Sequence, residues 1–318
     1  MEFTHLTAGQ DDDGRRLDVL IRRLLPGQPL SHVYGALRKG LVTVDGKKRK
    51  QDFRVRAGSD IAVANMLMGA DNGAERNATP LPEHLVLFRN DDLLIVNKPY
   101  DIPVQTTRHG GCSLADMVRD DFIFFHRNSD SLSFRCGPLH RLDRKTTGIV
   151  VFSQSLRGAR WFSDALQAHR IQKTYLALVQ GTMETEQLWE DAVAKKDTVS
   201  KNFYTVAVGE HGKNALTSIK PLAVGSHNGV PVTLVQCRIA TGRKHQIRAQ
   251  AAAHGFPLLG DTAYGGRRGA TAQDFFLHAH HLAFGENPCA IPVEIRAEIP
   301  PAFAEMLRDC LINFSTPL

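Results

Sequence analysis

Three short stretches of this 318-residue chain gather the residue types that acid–base, nucleophilic or phosphate chemistry requires. The first is His140-Arg141-Leu142-Asp143-Arg144-Lys145-Thr146-Thr147-Gly148, a polar loop running into the apolar segment 149–152. Arg141, Arg144 and Lys145 surround Asp143, and nearby cations favour a charged carboxylate, which suits a nucleophile or base. A structural ion pair is the other reading of a lone aspartate among arginines. The second stretch is Lys173-Thr174-Tyr175-Leu176-Ala177-Leu178-Val179, a strand in which the Tyr175 ring is either core or a stacking platform. The third is Thr241-Gly242-Arg243-Lys244-His245-Gln246-Ile247-Arg248. Thr241 can cap a helix running to His254 and ended by Gly255. Arg243 and Lys244 then add to the positive end of its dipole and favour anions. Arg248, five residues on, lies about 500° around such a helix, off the Arg243 face and able to turn toward a carboxylate. An amphipathic helix with solvated charges is the alternative.

The elements that must position these residues are legible as periodicity. Segments 85–88 and 93–96 flank Asn90-Asp91-Asp92, a hairpin signal. Segment 149–152 is a short buried strand, and Ser155 caps a helix with Ala159, Phe162 and Leu166 on its face. A strand at 174–179 and a long one at 230–239 follow, and a helical stripe from Phe303 through Met306, Leu307 and Cys310 begins after Pro300-Pro301. Hairpins with intercalated helices predict an α+β fold with a mixed, largely antiparallel sheet.

The N-terminal part is a separate small unit. Leu17, Leu20, Ile21, Leu24 and Leu25 form one helical stripe, ended by Pro26-Gly27. Ser31 can cap a second helix, with Val33, Tyr34 and Leu37 inward and Gly40 at its end. Segment 41–44 and the Asp45-Gly46 turn start a hairpin, with Phe53, Val55, Ile61 and Val63 as further strand positions. Positions 38–56 hold eight bases (Arg38, Lys39, Lys47, Lys48, Arg49, Lys50, Arg54, Arg56) against Asp45 and Asp52, a dense positive field suited to a polyanion. Apolar periodicity then lapses, which divides the chain into a basic unit at 1–68, a linker at 69–82 and a larger domain at 83–318.

Composition narrows the class further. The chain is 42% hydrophobic and 23% charged, which excludes a disordered chain, and its net charge is +6. No apolar run approaches the ~18 residues of a membrane helix, so no membrane association is expected. Glu2 and the Asp11-Asp12-Asp13 run do not resemble a signal peptide. Five scattered cysteines without a CxxC read as reduced thiols, so the expected location is cytoplasmic. His278 and His280 would share a strand face, but no third ligand is evident and no metal is expected.

Taken together, HRLDRKTTGIVVF, KTYLALVQG and TGRKHQIR, followed by Gly255, Pro257, Gly260-Asp261 and Tyr264-Gly265, resemble the RluA family of pseudouridine synthases, in the family's order and over roughly residues 85–310. The segment from Arg15 to Val63 resembles a small helix–helix–strand RNA-binding module first seen in a ribosomal small-subunit protein. Such an appended module is most similar to the ribosomal large-subunit branch of the family. The resemblance implies a bent mixed sheet with a cleft across it and an isomerase that needs no cofactor. Asp143 matches the family's essential aspartate, Tyr175 the aromatic that stacks on the target base, and Arg248 the arginine paired with the aspartate. Arg141 matches the residue that fills the gap left by the flipped base. His140, Arg243, Lys244 and the basic patch (Arg38, Lys39, Lys47, Lys48, Arg49, Lys50) are the expected RNA contacts. Thr147, Gln154, Tyr100-Asp101 and Gln105 depart from the usual pattern, and all bear on substrate contacts rather than chemistry. The implied partner is RNA, ribosomal above all and tRNA as the alternative, acted on by a monomer. A non-catalytic RNA-binding or ribosome-assembly protein has no use for Asp143, and a base-removing glycosylase would release free uracil.

Overall fold

The computed structural model describes residues 1–25, 27–68, 78–106, 110–125, 131–195, 206–209, 212–267, 273–310 and 312. Its N-terminal unit comprises β1 (Phe3–Thr7), α1 (Leu17–Leu24), α2 (Leu30–Lys39), β2 (Val42–Val44) and β3 (Asp60–Ala64). The three strands pair antiparallel in the order β1-β3-β2. Leu17, Leu20 and Ile21 are wholly buried and pack with Val33, Leu37, Val42, Val44 and Ile61 as one core. The α1 stripe therefore faces the sheet as its spacing predicts.

Two local expectations differ. Ser31 does not cap α2, which begins one residue earlier behind Pro29 with no side-chain cap; Pro29 itself presets the entry. Positions 53–55 form no strand of the sheet: they make an isolated bridge at Arg16–Arg54, with Phe53 O and Val55 O accepting from Leu17 and Gly14 N–H, while Val55 joins the core.

The larger unit is α+β. Its elements are β4 (Val86–Arg89), β5 (Leu93–Lys98), α3 (Leu114–Phe125), β6 (Gly137–Pro138), β7 (Thr147–Ser153), α4 (Leu156–Gln167), β8 (Gln172–Gln180), β9 (Gln187–Lys195), β10 (Val206–Val208), β11 (Lys213–His227), β12 (Val230–Ile239), α5 (Gln246–Ala253), β13 (Leu277–Ala283), β14 (Glu294–Arg296) and α6 (Pro301–Asp309). An 11-stranded sheet has the order β10-β9-β11-β12-β8-β13-β7-β5-β4, with β14 on β13 and β6 on β7. Every described pairing in it is antiparallel except β13 with β7. Of the expected linker, residues 69–77 lie outside the described residues. Within 78–82, Ala78 and Leu81 are buried: Leu81 joins the main core and its N–H donates to the buried Asp121 at 2.8 Å.

The parallel β13–β7 pair sits directly behind the Asp143 loop, and Gly148 permits it. This residue has φ +105°, and a Cβ there would collide with the Ala279 backbone. Only glycine lets β13 approach so closely. Beside it, His278 is fully buried, its Nδ1 2.9 Å from Thr147 Oγ1 and its Nε2 3.2 Å from Ala297 O. His280 Nδ1 uses the same carbonyl at 2.8 Å. These histidines are ordinary strand residues tying β13 to its neighbours.

Burial pushes the His278 pKa down to about 4 from an ordinary 6.5. The unfolded chain therefore takes up a proton that the folded chain refuses as pH falls through that window. Stability should drop by roughly 2–3 kcal/mol between pH 6.5 and 4 from this group. Urea midpoints across that range check it, and a His278→Gln variant should show a flatter acid limb than wild type.

Candidate active site

A cleft of about 990 Å³ opens where seven segments converge: residues 103–105, the Asp143 loop, the end of α4 with His169, the start of β8, the 239–245 loop with α5, residues 261–264, and residues 274–275. That volume is in the range of small-molecule sites. Asp143, Tyr175, Arg141, His140, Arg243, Lys244 and Arg248 all line it, although the sequence separates the first from the last by over a hundred positions.

The Asp143 loop is held from below. Lys98, at the end of β5, is fully buried, and its Nζ donates to the carbonyls of Pro99 (2.8 Å), Ile102 (2.9 Å) and Arg144 (2.8 Å). Three acceptors call for the three hydrogens of an ammonium. Burial works against that charge and pulls the pKa down to about 7, while Asp101 and Asp143 act to raise it. Arg144 reaches out to Asp101, whose φ of +61° sits where the usual pattern has glycine. Lys145 pairs with Asp274, and the Tyr100 hydroxyl donates to the same carboxylate at 3.1 Å. The departure at Tyr100-Asp101 thus acquires a local role, because both residues clamp the loop from outside.

Arg248 projects from α5 and is 8% exposed. Its Nε and Nη2 hold Asp261 at 2.6 and 2.8 Å, a two-pronged grip. Its remaining Nη1 reaches Asp143 Oδ2 at 3.3 Å. The guanidinium lies 4.3 Å from the Phe275 ring centre and 4.8 Å from that of Tyr264, flanked by two aromatic rings. Burial opposes its charge, but the Asp261 hydrogen bonds and both carboxylates raise its pKa. Sequence reasoning paired Arg248 with Asp143; the structure adds Asp261 as the tighter partner. One guanidinium serves two carboxylates, and the looser bond falls to the one that faces the cleft.

His245 is the second residue that sequence reasoning left without a role. Its Nε2 is 3.6 Å from Asp143 Oδ1, and its Nδ1 is 2.9 Å from the Tyr264 hydroxyl. The same hydroxyl accepts from the Val206 N–H at 2.9 Å. Burial lowers the His245 pKa, which favours the neutral imidazole beside Asp143. The spacing Asp261-Thr262-Ala263-Tyr264 after a Gly was the available signal, since both ends converge on the same arginine.

The expected helix start is corrected here. The chain at 241–245 is a loop, and α5 begins at Gln246 behind His245, whose φ is +54°. The Gln246 side chain closes that loop: Oε1 accepts from Arg243 N (3.0 Å) and Thr241 Oγ1 (2.8 Å), and Nε2 donates to Leu216 O (3.2 Å). Arg243 and Lys244 are exposed on the loop rather than in the first turn, and Arg243 Nε donates to Asn214 O. Arg243 therefore shares no helix with Arg248; α5 aims Arg248 inward through its own buried face.

Tyr175 is 8% exposed, belongs to the main core and also lines the cleft. Burial, then Asp143, pushes its pKa up, and it is a phenol at neutral pH. His140 is turned into the fold: its Nε2 accepts the Val151 N–H at 3.1 Å and its ring stacks on Phe162. Burial, with Lys173 nearby, brings its pKa down to about 3. A ring so engaged buttresses the cleft wall. Arg141 is exposed at the mouth. Of the basic patch, Arg38, Lys39, Lys47, Lys48 and Lys50 are exposed, whereas Arg49 lies over the Phe53 ring at 4.6 Å. These residues belong to the other unit and do not line the cleft.

Comparison with known proteins places both units. A family model described as RNA pseudouridylate synthase matches residues 92–253, and one described as S4 domain matches residues 15–61. The chain is 30% identical to ribosomal large subunit pseudouridine synthase C of Escherichia coli (strain K12), covering 95% of this chain and 93% of that one. It is 31% identical to ribosomal large subunit pseudouridine synthase D of Vibrio cholerae, covering 92% and 90%. Among solved structures, human RNA pseudouridylate synthase domain containing 4 superposes with a TM-score of 0.57 at 19% identity, over 73% of this chain and 94% of that one.

Proposed function

We propose a function from one premise: the chain belongs to the RNA pseudouridylate synthase family, and is an isomerase with an S4 domain. It isomerises uridine to pseudouridine in large-subunit ribosomal RNA, with Asp143 as the acting group. The observation that carries this reading is the Asp143 carboxylate, part-exposed in the cleft, with Arg248 on one oxygen and His245 near the other.

The reaction breaks the N1–C1′ bond, turns the base and joins C5 to C1′, with loss of the C5 hydrogen as a proton. Asp143 either adds to C1′ or removes a sugar proton; both routes need an aimed carboxylate, and Arg248 and His245 flank its two oxygens. The target uridine must first leave its stack at a cost of a few kcal/mol, and stacking on a face such as Tyr175 returns ~1–3 kcal/mol. Arg141 at the cleft mouth fits the place vacated by the base. Arg243, Lys244 and the patch on the S4 domain hold phosphates and set position rather than read sequence.

Incubation of the purified protein with an unmodified large-subunit ribosomal RNA transcript carrying 5-tritiated uridine should release tritium to solvent with no free uracil. Tritium release from tRNA transcripts alone would redirect the substrate assignment, free uracil would indicate a glycosylase, and no release from either would leave a binding protein. A second expectation concerns the patch. Replacing the exposed Lys47, Lys48 and Lys50 with Gln should reduce the slope of log affinity against log salt by about 2–3, at ~0.7–0.9 for each phosphate no longer neutralised. An unchanged slope in filter-binding titrations would place the RNA elsewhere.

A further inference from the structure

The Asp11-Asp12-Asp13 run is not absorbed by the chemistry above, and its three carboxylates have distinct partners. Asp13 stays within its own unit, accepting from Ala57 N at 3.1 Å. Asp12 and Asp11 reach across to the catalytic unit. Asp12 is wholly buried. It accepts from Leu132 N (2.8 Å), Ser133 N (3.0 Å), the Ser133 hydroxyl and Ser131 Oγ (3.4 Å), and from Gly9 N (3.0 Å) on its own side. Asp11 accepts from Leu156 N at 3.1 Å, the first residue of α4, where a carboxylate meets unpaired N–H groups and the positive end of the helix dipole. Arg135 Nη2 donates to Arg23 O at 3.2 Å, and Leu132 packs against the S4 core.

A buried carboxylate is stable only when its lone pairs are matched. Asp12 owes most of its donors to the segment 131–133, so the two units cannot separate without stripping it. That segment is also placed to matter: it leads through β6 into the Asp143 loop, with only eight residues from Arg135 to Asp143. We propose that the S4 domain is a docked grip held at fixed distance from the cleft, seated by Asp11 and Asp12 on the 131–135 segment and on α4. RNA bound to the basic patch then presents to Asp143 only those uridines at one set spacing. Docking sets which uridine is modified, while the cleft sets the chemistry; the proposal rests on the functional reading above.

The test uses the full chain and variants on opposite sides of the contact. Asp12→Asn turns an amide NH2 toward backbone donors, and Leu132→Asp puts a second carboxylate beside Asp12 without altering the S4 domain. Small-angle scattering of wild type should fit one rigid particle, and both variants should show a larger maximum dimension. Mapping of pseudouridine on a large-subunit ribosomal RNA transcript should then show secondary sites, with the wild-type site modified about ten-fold more slowly at sub-saturating RNA as tethering alone replaces docking. The rate at that site under saturating RNA should stay near wild type, since neither residue lines the cleft. Wild-type scattering of two loosely joined particles would overturn the proposal. So would variants whose scattering widens while the site map stays single. The scattering arm needs no turnover, so its failure is separable from failure of the functional assignment.

Discussion

Asp143→Asn should abolish turnover, lowering the single-turnover rate by at least about 10³-fold, while RNA affinity stays nearly unchanged. The substitution keeps the shape and removes the one charge that either route at the sugar requires. What makes the result interpretable is Asp261. In a site where Arg248 had a single carboxylate partner, neutralising it would leave a buried cation unpaired and disturb the fold. Here Arg248 keeps its two-pronged bond to Asp261 at 2.6 and 2.8 Å, so the guanidinium stays where it is. Arg243 and Lys244, proposed above to hold phosphates, lie on a loop closed by Gln246 whose described contact with the Asp143 side chain is the 3.6 Å approach of His245. Tritium release and filter binding on the same preparation separate the two effects. Substantial turnover by the variant would remove Asp143 from the reaction. Weakened binding with normal melting would make it a substrate contact instead.

How much of this was legible depends on whether a residue's role is local. Asp143, Tyr175 and Arg248 each lie in a short run whose composition is unusual in itself, and the order of the three runs along the chain makes them recognisable together. The strand at 149–152 is legible because its side chains are buried and apolar on both faces, and the one at 230–239 because its middle, residues 232–235, is buried throughout. β9 and β11 are not: β11 mixes Lys, Asn, Thr and Ser into fifteen residues and carries Pro221 at a register shift, so no clean alternation survives. The sequence predicts the start of α5 too early because Thr241 has the chemistry of a cap. Its hydroxyl instead bonds the Gln246 side chain, and the turn into the helix is made by a left-handed His245 that periodicity does not reveal. His140 stood in a motif yet serves the fold through Val151 and Phe162, a contact with no signature in the residue type. Asp261 and Asp12 share the deeper reason. A carboxylate's partner across the fold is set by topology, and twelve or a hundred and twenty intervening residues carry no mark of it.

The second large effect follows from that hidden partner. Asp261→Asn should destabilise the protein by about 3–5 kcal/mol and lower kcat by roughly 10²-fold, although its carboxylate bonds Arg248 rather than facing the substrate. The amide presents one NH2 to a guanidinium that has only donors, so a buried cation 8% exposed loses its tight bond. Arg248 is then free to turn its fork onto Asp143, now at 3.3 Å through one nitrogen, and an Asp143 clamped in that way is no longer aimed at the sugar. Stability and turnover are separable by a compensating pair. Arg248→Met with Asp261→Leu replaces the ion pair by apolar side chains between the Phe275 and Tyr264 rings, and such exchanges are often neutral for stability. The double variant should therefore melt near wild type in urea while remaining inactive, because Asp143 no longer has a cation beside it. If instead Asp261→Asn alone melts and turns over as wild type does, Asp261 is not the anchor of Arg248. Activity in the double variant would show that the carboxylate works without a guanidinium beside it, leaving His245 as the group that aims it.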